Sequence, residues 1–82
     1  MEPLKKYRIK DLSDETGVPV STINHYLNTG ILKERWREEN NYRLFGKPEI
    51  DRLSRITELR TQGFSLDQVR RMLSEEGEKH NA

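Results

Sequence analysis

Positions 20 to 29 read Val-Ser-Thr-Ile-Asn-His-Tyr-Leu-Asn-Thr, a stretch rich in hydrogen-bonding side chains and without a formal charge. Ser, Thr, Asn and His can bond base edges, and an amide such as that of Asn24 can make two bonds to adenine at once. Basic clusters flank this stretch: Lys5, Lys6, Arg8 and Lys10 before it, and Lys33, Arg35, Arg37 and Arg43 after it, the second interrupted by Glu34, Glu38 and Glu39. Arg and Lys neutralise phosphate oxygens and set a register without reading sequence. Either cluster on its own reads equally as solvated surface. Other chemistry finds little support. Without cysteine there is no disulfide and no thiolate zinc site, and His25 and His80 are too far apart to suggest a metal site. No nucleophile, base and orienting group can be assembled, and no Gly-rich phosphate loop is present, so no enzyme, cofactor or metal is expected.

The chain of 82 residues is expected to form one domain over 1–82, with an ordered core of about 7–74 and a polar tail over 75–82. Only 32% is hydrophobic and 35% charged, yet the apolar residues recur at regular spacings, unlike those of a disordered tail. Fifteen Lys and Arg face 14 Asp and Glu for a formal charge of +1, so the placement of the charges matters more than their sum. No apolar run approaches the roughly 18 residues of a membrane helix, and the first residues lack the apolar stretch of a signal peptide. A soluble, cytoplasmic chain with no membrane partner is expected.

The elements that must position these side chains follow from periodicity. Ile9 to Thr16 predicts a short helix ended by Gly17, with Pro19 just beyond. Val20, Ile23 and Leu27 predict the buried stripe of a second helix over about Val20–Thr29, stopped by Gly30. Ser21, Thr22, His25 and Thr29 then face outward, with Asn24, Tyr26 and Asn28 on the flanks. Ile31–Trp36 and Tyr42–Phe45 read as short strands of a hairpin whose turn contains Asn40 and Asn41. Gly46 and Pro48 open a third helix with Ile50, Leu53, Ile56 and Leu59 inward, ended by Gly63. Ser65 and Gln68 form a capping box for a fourth helix packed through Leu66, Val69, Met72 and Leu73, which is expected to fray beyond Leu73. Arg52, Arg55 and Arg60 read as a solvated face, Trp36 as a packing residue, and Arg70 with Arg71 equally as surface or as a second phosphate patch. The predicted fold class is mainly α: a winged helix-turn-helix of four helices with a short β-hairpin wing, its second helix shaped for the major groove.

Ile9-Lys10-Asp11-Leu12, Thr16-Gly17-Val18, Val20-Ser21-Thr22-Ile23, His25-Tyr26-Leu27, Gly30-Ile31-Leu32, Asn41-Tyr42-Arg43-Leu44-Phe45, Ile50-Asp51-Arg52-Leu53 and Gln62-Gly63-Phe64-Ser65-Leu66 lie in one register over about Arg8 to Leu73. In that order they resemble the winged-helix DNA-binding domain of MerR-family transcription regulators. The resemblance implies that Ser21, Thr22, Asn24, His25 and Tyr26 meet base edges and backbone in the major groove, and that Arg37, Tyr42 and Arg43 reach flanking phosphates. From the first basic cluster, Lys5 or Lys10 is expected to add a phosphate contact that helps fix the register. The resemblance also implies a double-stranded DNA partner and, in the family, a dimer that distorts promoter DNA. Asn24 and His25 depart from the family's usual Arg and Tyr, Leu27 from an acidic residue and Asn41 from a wing Gly, so the preferred DNA sequence is not inherited. The chain lacks the long dimerising helix, and two readings stay open: a domain cut from a longer regulator, or a complete small protein resembling excisionases. In the first case this chain is expected to be monomeric and its parent a homodimer through the coiled coil. A winged-helix module for protein partners is the alternative of a different class, kept open by Glu38 and Glu39.

Overall fold

The computed structural model describes residues 5–81 along the backbone and side chains as far as Glu75. Most of the expected polar tail, His80 included, therefore lies outside the described side chains. The elements run α1 (Ile9–Thr16), α2 (Val20–Thr29), β1 (Trp36–Arg37), β2 (Arg43–Leu44), α3 (Lys47–Thr61) and α4 (Leu66–Asn81). Four helices and an antiparallel two-stranded hairpin make the expected winged helix-turn-helix.

The turn between α1 and α2 is fixed by its own side chains. Gly17 adopts φ 76° and gives its N–H to the Ser13 carbonyl at 2.8 Å. Because an L side chain is strained at that φ, glycine ends α1 at little cost. The Ser13 hydroxyl then donates to the Val18 carbonyl at 2.6 Å, while the Val18 N–H donates to the Thr16 hydroxyl at 3.2 Å. Bonds on both sides of Val18, itself a core residue, set the angle at which α2 leaves α1.

One core joins all four helices. Leu12, Ile23, Phe45, Leu53, Ile56 and Val69 are fully buried, so each helix and the end of the wing contribute to it. The stripe of α2 is rotated from the one expected. Val20 is 38% exposed, whereas Ile23 and Tyr26 are buried and Leu27 is half-buried. An aromatic ring buries more apolar area than a valine, and this decides which edge of the helix turns inward.

The first strand is also shorter than expected. Only Trp36–Arg37 pairs with Arg43–Leu44, in the register Trp36 to Leu44 and Arg37 to Arg43. Ile31 and Leu32 are buried in succession, which a strand with one solvated face does not allow, and the Leu32 N–H bonds the Tyr26 carbonyl at 3.3 Å. They form a buried plug under α2. The hairpin gains an additional neighbour from Tyr7, whose N–H and C=O both pair with Phe45 at 2.7 Å. Asn41 takes φ 72°, as expected for the wing turn.

Arg52 departs from the solvated-face expectation, because its Nε donates to the Ile31 carbonyl at 2.7 Å and holds the segment after α2 against α3. Ser65 and Gln68 form the expected reciprocal cap, at 2.8 Å and 3.2 Å. The backbone of α4 stays helical past Leu73 to Asn81 rather than fraying there. The stretch contains no proline, and each added residue extends an existing ladder instead of nucleating a new one.

Candidate nucleic-acid interface

Ser21, Asn24, His25 and Asn28 are exposed on α2, and Thr22 is half-buried. Thr29 turns back on its own helix, its hydroxyl donating to the Tyr26 carbonyl at 3.0 Å. The outward surface therefore consists of a hydroxyl, two amides and an imidazole, all able to bond bases and none fixed by charge. Tyr26, expected on the flank of this surface, is a core residue with only 7% of its area exposed. Its ring supports the helix from beneath and presents little surface toward a duplex.

The exposed edge of α2 continues into a groove of about 380 Å³ lined by Arg8, Ile9, Lys10, Asn24, Asn41, Tyr42 and Arg43. It brings together one end of α1, the side of α2 and the wing. Four of the residues singled out by sequence, Lys10, Asn24, Tyr42 and Arg43, meet there. Ser21 and His25 lie outside it on the open face of α2. Tyr42 is 56% exposed, and the Arg8 guanidinium lies 5.1 Å from its ring centroid while pairing with Glu38 at 2.9 Å. By its position in the chain Arg8 is no more than one member of a basic cluster. Its place beside Tyr42 depends on the pairing of Tyr7 with Phe45, which no local pattern announces.

On the wing, Arg37 and Arg43 stand directly opposite one another. Glu34 lies between them, with Oε2 at 3.0 Å from Arg37 Nε and Oε1 at 3.5 Å from Arg43 Nε. Arg37 also donates to Asn41 Oδ1 at 2.8 Å. The Glu34 carboxyl is held below the ordinary carboxylate range by a bond from its own backbone amide. Partial burial opposes this, and the bond and charge of Arg37 and the charge of Arg43 reinforce it.

Two further arginines fix the frame. Arg35 makes a two-pronged pair with Glu49, Nε to Oε1 and a terminal nitrogen to Oε2, both at 3.0 Å. Glu49 Oε1 also accepts the Gly46 N–H at 2.8 Å, so one carboxylate caps α3 and anchors the root of the wing. Arg70 reaches back to the Thr29 carbonyl at 2.6 Å and places a cation on the C-terminal end of α2. Of the two expected patch residues, Arg70 is thus engaged with α2, and Arg71 remains exposed. Trp36 is half-buried, with Lys6 Nζ 5.2 Å and the Arg35 guanidinium 5.9 Å from its ring.

Residues 7–76 match the family model of the MerR HTH family regulatory proteins, nearly the whole described chain. The chain belongs to the MerR family. A relative, the nodulation protein NolA of Bradyrhizobium sp. (strain NC92), is 38% identical over 69 residues, which is 84% of this chain and 29% of that protein. The chain thus spans under a third of that relative's length. Among solved structures, the N-terminal part of the Bacillus subtilis multidrug transporter activator, MtaN, superposes with a TM-score of 0.78 at 31% identity, covering 82% of this chain and 63% of that one. The MerR-family regulator HiNmlR, which lacks the sensor domain and was solved bound to promoter DNA, gives a TM-score of 0.77 at 25% identity, covering 83% and 52%. The four helices and hairpin are those of MerR N-terminal winged-helix domains. Among the described residues, no helix is long and apolar enough to cross a membrane.

Proposed function

We propose that this chain is the sequence-reading, double-stranded DNA-binding domain of a MerR-like transcription regulator, acting in the cytoplasm and without catalytic activity. The observation that carries this reading is the groove in which Lys10, Asn24, Tyr42 and Arg43, from three separate elements, meet beside the uncharged face of α2. A helix that enters the major groove leaves its neighbouring wing over the adjoining backbone, so bases and phosphates are met by one continuous surface. Ser21, Thr22, Asn24 and His25 read base edges. Lys10, Arg37, Tyr42 and Arg43 hold phosphates and set the register, while Tyr26 positions α2 through the core. One copy covers one half-site, and affinity for a full site comes from a second copy brought to the same duplex.

The test is a titration of backbone amide signals with a short mixed-sequence duplex at low and moderate salt. Shifts gathered at Ser21 to Asn28 and Arg37 to Arg43, weakening as salt rises, are the expected result. Absence of shifts there at the lowest salt would overturn the interface and favour a protein partner for α2.

A further inference from the structure

The paired arginines of the wing are not free in the folded chain. Arg37 and Arg43 oppose each other across the hairpin, an arrangement of like charges that is unfavourable by itself. Glu34 relieves it by turning one oxygen to each guanidinium, at 3.0 Å and 3.5 Å. Its side chain is 27% exposed, whereas those of the two arginines are each 41% exposed, so Glu34 is the more covered partner in the bridge. A phosphate has the same sign of charge and the same kind of acceptor oxygens, and would use the same donors.

We propose that Glu34 sets the affinity of the DNA interface as an internal counter-anion, occupying the Arg37 and Arg43 guanidinium groups until a backbone phosphate displaces it. The proposal rests on the reading of the wing as a phosphate contact. Arg37 remains held by Asn41 Oδ1 at 2.8 Å when the carboxylate leaves, so Glu34 is not needed to aim it. Displacing Glu34 costs the same on every duplex, because it involves no base. It therefore lowers affinity for all DNA by a similar factor and flattens the salt dependence, since cations already neutralised within the protein contribute less when they meet phosphate.

Equilibrium binding of wild type, Glu34→Gln and Glu39→Gln to one labelled mixed-sequence duplex, across a salt series, tests this. Glu39 is exposed on the same hairpin and takes part in none of the ion pairs of the described residues, so its substitution makes the same charge change without releasing an arginine. Glu34→Gln should bind roughly two- to thirtyfold tighter at low salt, the range for releasing two exposed ion pairs. Its log–log salt slope should steepen by up to about one. Glu39→Gln removes the same formal charge without freeing a guanidinium, so its gain should be clearly smaller than that of Glu34→Gln and should fade first as salt screens it. Equal or weaker binding by Glu34→Gln, or an equal gain from Glu39→Gln, overturns the proposal while leaving the DNA interface standing. Absence of wild-type binding at the lowest salt overturns the interface itself, and the proposal with it. Circular dichroism checks folding, and if Glu34→Gln fails to fold, Glu34→Asp, which withdraws the carboxylate by one methylene, gives the same comparison with a smaller gain.

Discussion

Replacing Glu49 by alanine should be among the most damaging single changes outside the apolar core, and its cost can be built from its contacts. The carboxylate accepts the Gly46 amide at 2.8 Å in a buried setting, and without it that N–H has lost its acceptor. Leaving such a donor unpaired costs about 1–3 kcal/mol. The negative charge at the start of α3 is worth about 0.3–1 kcal/mol against the helix dipole. The pair with Arg35 adds about 0–1 kcal/mol, kept low because the arginine side chain is 43% exposed. Together these give a destabilisation of about 1–5 kcal/mol, a large share of the stability of a domain this small. Glu49→Gln keeps an acceptor for Gly46 and should lose only the charge contributions, about 1 kcal/mol. Urea unfolding followed by far-ultraviolet circular dichroism measures both variants. If Glu49→Gln costs as much as Glu49→Ala, the charge and not the amide bond is decisive. If Glu49→Ala lies within about 0.5 kcal/mol of wild type, the reasoning about the buried N–H fails.

Arg43→Ala should weaken binding to every duplex and reduce the salt slope by about one, whereas Asn24→Ala should remove about 1–3 kcal/mol of discrimination at one base pair. Competition with point-substituted duplexes separates the two, and a uniform loss for Asn24→Ala would remove it from base readout. Arg70→Ala should destabilise by about 1 kcal/mol and speed amide exchange at the end of α2 while leaving the DNA salt slope unchanged; a slope reduced by about one would return Arg70 to the phosphate contacts. Glu34 has a lowered carboxyl pKa in the folded state, so its stabilisation is complete above the ordinary value of 4.5 and is lost as pH falls through the lower folded value. Glu34→Gln should therefore flatten the acid side of the stability curve below about pH 4.5 and leave neutral pH dependence alone; an unchanged acid side in urea midpoints would contradict the lowered carboxyl, whose first cause is the bond from its own backbone amide and whose lesser causes are Arg37 and Arg43.

Helix positions, the Ser65–Gln68 cap and the positive φ of Asn41 were legible because each depends on neighbours a few residues away. The uncharged face of α2 was legible for the same reason. Tyr26 was not, since whether a tyrosine or a valine turns inward depends on the volume left by Leu32 and the other elements. Arg52, Arg70 and the Arg35–Glu49 pair were likewise hidden: each joins segments far apart in sequence, and an arginine with acidic residues nearby gives no sign that its partner is a distant carbonyl or carboxylate. Arg8 entered the groove for a reason of topology, not composition.

The reciprocal pairing of Tyr7 with Phe45 also bears on the order of assembly. A two-residue hairpin has too few bonds to persist by itself, and this one gains its third neighbour only after the chain closes a long loop from before α1 to the start of α3. Since Phe45 is fully buried, that closure must coincide with docking of α1 on α3. The wing is therefore expected to condense after the helices dock, and its amides to exchange earlier than those of the core helices in native-state exchange.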